Sequence, residues 1–192
     1  MRRRTFDALL TAGGLVLAVV LLVAGGLLVW GHSFIDSQVH DQLAAQKIFF
    51  PAKGSAALDP KQFPDLQQYA GQQVVNGDQA RAFANGYIAR HLQGIGGGKT
   101  YSELSTDSRT NPNDQTLAGE VQTVFRGETL RGMLLNAYAF WQMAQVALFA
   151  AIGAFVAAAI MLVLSGLGFL HLRRTSPTAL VGEPVEAALA KA

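Results

Sequence analysis

The run Gly97-Gly98-Lys99-Thr100 has the residue types that end a phosphate-binding loop, in which backbone amides and a lysine hold nucleotide phosphates. The full pattern needs another glycine five positions before Gly98, and Gln93 stands there. The run also follows a predicted helix, whereas such loops follow a strand. We therefore predict the C-terminal cap of one helix and the N-terminal cap of the next, with no bound nucleotide.

The histidines are the next residues that could do chemistry, as ligands of a metal or a haem. They are His32, His40, His91 and His171. His32 and His40 could share a helix face, but eight residues separate them by about 12 Å, too far for one metal ion. Haem ligation together with a partner chain is the alternative. The chain has no cysteine, which excludes disulfides, thiolate metal sites and covalent c-type haem. We predict no cofactor and no metal.

Two stretches without Asp, Glu, Lys or Arg, residues 8–35 and 132–172, decide the class of the protein. Each exceeds the roughly 20 apolar residues that a helix needs to cross a membrane. Ion and proton pathways usually require ionisable groups inside the membrane, so these stretches argue against a transporter. No Ser-His-Asp or Cys-His arrangement is suggested by the sequence. We therefore predict a membrane protein that is not an enzyme.

Charge and aromatic residues predict how the chain is oriented. Arg2, Arg3 and Arg4 precede the first stretch, and Arg173 and Arg174 follow the second, so both termini are expected in the cytoplasm. The net charge of +2 and the pI of about 9.1 come from these ends, which argues against nucleic-acid binding. The predicted membrane-interface anchors are Trp30, Tyr138, Trp141, Arg173 and Arg174.

The predicted fold is an all-α membrane protein with two transmembrane helices that bracket a small helical extracytoplasmic domain. Outside the membrane, Ile35, Val39 and Leu43 continue the first helix. Asp78 is expected to cap a later helix, and Thr100 and Glu103 to form a capping box. A nearly continuous helix is expected from about Glu128 to Leu172. The predicted segments are a cytoplasmic N-terminus 1–7, transmembrane helix 8–32, outer domain 33–137, transmembrane helix 138–172, and a disordered cytoplasmic tail 173–192.

Small residues inside the spans are the candidates for close helix contact, because lipid removes the hydrophobic drive for association. Either the two spans pack on each other, or they pack against helices of another protein. Phe49 and Phe50 lie near the expected membrane surface, where they either fold back onto the small domain or anchor a partner. The small candidates are Gly13, Gly14, Gly25, Gly26, Ala147, Ala151, Gly153, Ala154 and Ala157.

Several motifs resemble an actinobacterial membrane-protein family over residues 1–172. They are RRTFD (3–7), GGLLVWGHSF (25–34), VHDQLAAQKIFFP (39–51), YAGQQ (69–73), GKTY (98–101) and FRGETLRGMLLNAYAFW (125–141). Members are often labelled aromatic ring-opening dioxygenases of the LigA type. Such dioxygenases are soluble and hold ferrous iron with His and carboxylate ligands, and this sequence shows no comparable cluster. The motifs identify a family but describe no chemistry.

The family is also similar to the prokaryotic respiratory supercomplex association factor, an accessory subunit of the mycobacterial cytochrome bc–aa3 assembly. The resemblance implies a non-enzymatic accessory subunit that contacts cytochrome bc–aa3 subunits and lipids through helix packing and periplasmic surfaces. Two alternatives remain open at this point. The chain could be an extracytoplasmic sensor, or an envelope assembly factor, in either case acting through a partner.

Overall fold

The computed structural model describes residues 2–175 and 180–181, and within them the protein is helical. Most of the predicted tail, 173–192, lies outside the described residues. Two isolated antiparallel bridges, Arg2 with Leu180 and Phe49 with Gln73, are the β-type pairings of the described part. The α-helices are α1 (Arg3–Ala45), α2 (Gly77–Arg81), α3 (Ala89–Ile95), α4 (Tyr101–Thr110) and α5 (Gln115–Arg174); a π-helix covers Ala82–Ile88, and 3₁₀ helices cover Ala56–Leu58 and Pro64–Tyr69.

Helices α1 and α5 are each long and apolar enough to cross a membrane. In each, only 11% of the most apolar stretch is buried, unlike the core helix of a soluble protein. The two helices therefore indicate a membrane protein, as the charge-free stretches predicted. Helix α5 begins at Gln115, earlier than the expected Glu128, because Asp114 accepts a hydrogen bond from the Leu117 amide (2.9 Å) and so caps the helix there.

The chain forms two compact units. The first, here called the span unit, comprises Met1–Gly31 and Val146–Ala192, and the second, the outer unit, comprises His32–Gln145. The second boundary lies after the predicted end of the outer domain at residue 137. The reason is that Trp141 packs against the core of the outer unit, and that the backbone carbonyl of Ala144 is hydrogen-bonded to the His32 ring (2.9 Å).

The core of the outer unit is built around Phe50, which is 2% exposed. Its ring stacks on Tyr69 at 5.2 Å between centroids and meets the edge of Phe83 at 5.0 Å. Helix α1 continues through Val39 and Leu43, as their four-residue spacing predicted, and it contributes both residues to the same core. The remaining buried members are Leu58, Phe63, Leu66, Val74, Ala80, Ala84, Ile88, Leu92 and Leu134.

Helix caps decide where the short helices begin. The capping box of α4 is confirmed: the Thr100 hydroxyl accepts from the Glu103 amide, and the Glu103 carboxylate accepts from the Thr100 amide at 2.8 Å. The Asp78 cap was wrong, because Asn76 caps α2 by accepting from the Gln79 amide at 2.9 Å. Residue 77 must be small, since a Cβ there would lie 2.5 Å from the Trp141 side chain. Helix α2 begins at Gly77, directly after the Asn76 cap.

Replacing Phe50 by Ala should destabilise the outer unit by about 3–5 kcal/mol, because it empties the centre of an aromatic core. The matched change Phe49→Ala removes a side chain that is 54% exposed and should stay within about 0.5 kcal/mol. Thermal unfolding of the full chain in mild detergent, followed by Trp fluorescence, measures both. Equal losses of stability in the two variants would contradict this description of the core.

Candidate functional site

The contact between α1 and α5 within the span unit is antiparallel and is made through small residues. Gly14 faces Ser165, and a Cβ on Gly14 would lie 2.6 Å from the Ser165 Oγ. Gly25 faces the Phe155 ring, which a Cβ would approach to 2.8 Å. Gly168 faces Thr11 in the same way, at 2.5 Å. Because these approaches leave no room for larger side chains, the pairing of α1 with α5 depends on these glycines.

Buried alanines continue this contact with a seven-residue spacing. Ala151 and Ala158 are 0% exposed, and Ser165, seven positions further on, is 8% exposed. On α1, Ala18 is also 0% exposed and precedes Gly25 by seven residues. A seven-residue repeat keeps one face of a helix turned toward its partner along a left-handed supercoil. This spacing is present in the sequence, but the many other alanines of α5 make it hard to recognise there.

The predicted small candidates divide into two groups. Gly14, Gly25 and Ala151 lie in the contact between α1 and α5, and Ala154 and Ala157 are half-buried beside it. Ala147 is half-buried as well. In contrast, a Cβ on Gly13, Gly26 or Gly153 would meet no atom within 4 Å. The internal contact therefore uses the first group, and the second group lies on open helix surface.

Phe49 and Phe50 point in opposite directions because the chain is extended there. The Phe50 amide donates to the Gln72 carbonyl and the Val74 amide donates to the Ile48 carbonyl, both at 2.9 Å. Successive side chains of an extended segment alternate between its two faces. Phe50 therefore folds back into the core, whereas Phe49 is 54% exposed. Folding back onto the small domain is thus observed for Phe50, and partner anchoring by Phe49 stays a prediction.

A groove of about 500 Å³ runs between α1 and α5 in the outer unit. Phe34, Met133 and Phe140 supply exposed apolar surface along it. Gln38 and Gln42, one helical turn apart on α1, add side-chain amides that can donate and accept hydrogen bonds. The groove has the mixture of apolar surface and uncharged polar groups that suits another protein's helix or loop.

The Gly97–Thr100 run forms the helix caps that its sequence predicted. The amide of Gly98 donates to the Gln93 carbonyl at 2.8 Å, and the amide of Lys99 donates to the Gly96 carbonyl at 3.0 Å. Gly97 and Gly98 have φ of +58° and +82°, which favour glycine. These amides satisfy the end of α3 and are therefore engaged within the chain. Lys99 also pairs with Asp107 at 2.8 Å, and this hydrogen bond raises the pKa of Lys99.

The histidines lie apart, and the described residues contain no group of three or more His, Cys, Asp or Glu that could hold a metal. His32 bonds to the Ala144 carbonyl, and His91 stacks on Phe63 with ring centroids 5.4 Å apart. His171 lies 3.7 Å from the Asp7 carboxylate within the span unit. His40 is exposed on α1.

The predicted membrane-interface anchors occupy different surroundings. Trp30 is 66% exposed, whereas Trp141 is half-buried against the outer core. The Arg81 guanidinium lies 5.2 Å from the Tyr138 ring centre, and the Arg173 guanidinium lies 4.7 Å from that of Phe169. Arg174 is exposed at the end of α5. Trp141 thus packs on the core of the outer unit, and its role at the membrane interface stays a prediction.

No protein-family model, no curated protein and no solved structure matches this chain. The resemblance found in its motifs, and the function that this resemblance implies, therefore remain predictions.

Gly25→Leu and Gly26→Leu form a matched pair that tests the contact between α1 and α5. Leu at position 25 must displace the Phe155 ring and should destabilise the full chain by about 1–3 kcal/mol. Leu at position 26 meets open space and should change stability little. Thermal unfolding in mild detergent compares the two. A larger loss for Gly26→Leu would contradict the assigned faces of α1.

Asp65 and Arg90 give a pH dependence with a defined sign. Two hydrogen bonds from Arg90, at 2.8 and 2.9 Å, hold the pKa of Asp65 below its ordinary value of 3.8. A carboxylate whose pKa is depressed by folding stabilises above its unfolded-state pKa, and this contribution is lost as the pH falls through the folded-state pKa.

Asp65→Asn should therefore lower stability at pH 7 by at most about 1 kcal/mol, because the pair is exposed. The difference from wild type should shrink once the pH falls below about 3.8. Thermal unfolding at several pH values measures it, with the exposed carboxylate variant Asp41→Asn as the control. A difference that grows on acidification contradicts the assignment.

Proposed function

We propose that this protein is a non-enzymatic accessory subunit of a plasma-membrane complex, and that it binds its partners by helix packing and through the outer unit. We propose further that the complex is the actinobacterial cytochrome bc–aa3 respiratory supercomplex. Support for that second step comes from the family motifs in residues 1–172. Both termini are proposed to be cytoplasmic and the outer unit extracytoplasmic.

The observation that carries the proposal is the second set of small residues in the spans. Gly13, Gly26 and Gly153 lie on open helix surface and take no part in the contact between α1 and α5. Glycine destabilises a helix by about 1 kcal/mol relative to Ala, so an open glycine needs another reason to be present. Close approach of a partner's helix is the use that membrane proteins make of such positions.

The outer unit adds two surfaces suited to protein contact. Phe49 exposes an aromatic ring beside the buried Phe50, and aromatic side chains are enriched where interfaces form. The groove between α1 and α5 presents Phe34 and Phe140 together with the amides of Gln38 and Gln42. The described residues that line the groove are all uncharged, so a partner would not have to neutralise a charge there.

The proposed orientation draws support from the arginines. Arg2 and Arg4 line one groove of the span unit together with Arg173, so the start of α1 and the end of α5 lie at the same end of the span pair. Positive residues favour the cytoplasmic side, which supports cytoplasmic termini. Protease treatment of intact spheroplasts tests this directly. Cleavage in the outer unit, with both terminal tags protected, is the expected result.

The decisive experiment is co-purification from native membranes in mild detergent, with the full chain carrying a tag and partners identified by mass spectrometry. The expected result is stoichiometric recovery with cytochrome bc–aa3 subunits. Recovery with another complex would retain the accessory role and overturn its assignment to respiration. Substoichiometric recovery would favour an assembly factor. Recovery alone, with a defined small ligand bound to the outer unit, would favour a sensor.

Gly26→Leu and Gly153→Leu should each lower recovery with the partner several-fold, because the added side chains keep a partner's helix at a distance. Both variants should unfold at the temperature of the wild type. The control is Val163→Phe, which enlarges a side chain that is already large and 62% exposed. Equal losses of partner in all three variants would show that bulk in the membrane, and not close glycine contact, controls binding.

A further inference from the structure

A groove of the span unit lies between α1 and α5, at the end where the arginines gather. It encloses about 1110 Å³ between the first turns of α1 and the last turns of α5. This exceeds the roughly 300–1,000 Å³ of ordinary small-molecule pockets. Its apolar walls come from Leu15, Leu162 and Phe169, and Ala8 and Ala12 leave room between them.

Three cationic side chains line one end of this groove. Arg2, Arg4 and Arg173 are all exposed there, and none of the described residues that line the groove is acidic. The nearby carboxylate of Asp7 lies 3.7 Å from His171. Across residues 2–175 and 180–181, no carboxylate forms an ion pair with any of the three arginines. Cation–π contact with Phe169 holds the Arg173 guanidinium over the groove wall.

The groove changes character along its length. Arg2 and Leu15 are thirteen residues apart on the chain, or about 20 Å along a helix. The apolar part, from Ala8 to Leu15, accounts for about 10 Å of this length, which fits within the roughly 15 Å of half a hydrocarbon core. The arginines then lie at the level of the headgroups. Thr5 adds a hydroxyl group between the charged and the apolar parts.

We propose that this groove is a binding site for one anionic phospholipid. The phosphate of the lipid is held by Arg2, Arg4 and Arg173, and an acyl chain lies along Leu15, Leu162 and Phe169. Basic pockets between transmembrane helices bind anionic headgroups in this way. The positive charge of the three arginines favours an anionic headgroup. The apolar part of the groove favours a lipid over a free anion. The proposal does not depend on the partner of the protein.

The test uses the full chain purified in uncharged detergent, titrated with phosphatidylglycerol or phosphatidylcholine of identical acyl chains and followed by native mass spectrometry. One phosphatidylglycerol should remain bound, at least tenfold more tightly than phosphatidylcholine. Equal binding of the two lipids would overturn the proposal. Inorganic phosphate is the competitor, and displacement of the lipid by millimolar phosphate would reduce the site to a simple anion site.

Adjacent arginines provide a charge-matched control. Arg4→Gln and Arg173→Gln should each weaken phosphatidylglycerol binding about fivefold. Arg3→Gln removes the same charge from a side chain that does not line the groove, and should change binding less than twofold. Equal losses in the three variants would mean that the arginines act only as a diffuse positive surface, which contradicts a built site.

A filling variant tests the apolar part without touching charge. Ala12→Phe should occupy the groove and lower binding of phosphatidylglycerol at least fivefold. Val20→Phe, at a position that is 56% exposed and outside the groove, is its control. Unchanged binding to Ala12→Phe would overturn the acyl-chain assignment. The comparison of the two lipids on the wild-type chain decides the proposal even if a variant fails to fold.

Discussion

The close approach of α1 and α5 is the constraint on which the span unit depends. Two helices that are apolar on every side gain nothing from hiding apolar surface from lipid, so their association relies on van der Waals contact. Gly14 and Gly25 permit that contact, and Ala18, Ala151 and Ala158 are completely buried by it. Each helix therefore has one face that is buried in the contact between α1 and α5 and another face that is open. That division separates structural positions from candidate docking positions.

The outer unit obeys the opposite rule, because water supplies a hydrophobic drive. Its core gathers around aromatic rings, with Phe50, Tyr69 and Phe83 in direct contact. Trp141 of α5 packs against this core. The charged groups of the outer unit form ion pairs at the surface, such as Arg90 with Asp65 and Lys99 with Asp107. Such pairs contribute little stability each, so the aromatic core carries most of the energy of this unit.

Much of the fold could be predicted from the sequence, because long apolar stretches and helix caps are local signals. The charge-free stretches marked α1 and α5, and Thr100 with Glu103 marked the start of α4. Asn76 was missed as a cap because Asn76-Gly77 also has the composition of a turn, and the neighbouring Asp78 has a competing side chain. The requirement for Gly at position 77 could not be predicted either, because it comes from Trp141, which is distant in sequence.

The candidate site was less predictable, because the sequence does not show whether a small residue faces a neighbouring helix or lipid. Only three-dimensional packing distinguishes Gly25 from Gly26, or Phe50 from Phe49. The proposed lipid groove could not be predicted from the sequence either. Arg2 and Arg173 are far apart in the sequence, and they line the same groove only because α1 and α5 pack together. Positive charge near a transmembrane helix normally indicates how the helix is oriented. That general interpretation does not reveal that some of these arginines also line a specific groove.

The π-helix Ala82–Ile88 restricts how the length of the outer unit can vary. Hydrogen bonds of the i→i+5 type make room for an extra residue in a turn, and such turns often mark an inserted position. Because the wide turn absorbs that residue, α3 keeps its face toward the core and Leu92 stays buried against Gly127. Loss of one residue from the π-helix should therefore return the segment to α-helical spacing and leave α3 in place. Loss of one residue from regular α-helix would instead rotate all that follows by about 100°, so single deletions in natural variants of this protein should occur in the π-helix and not within α3.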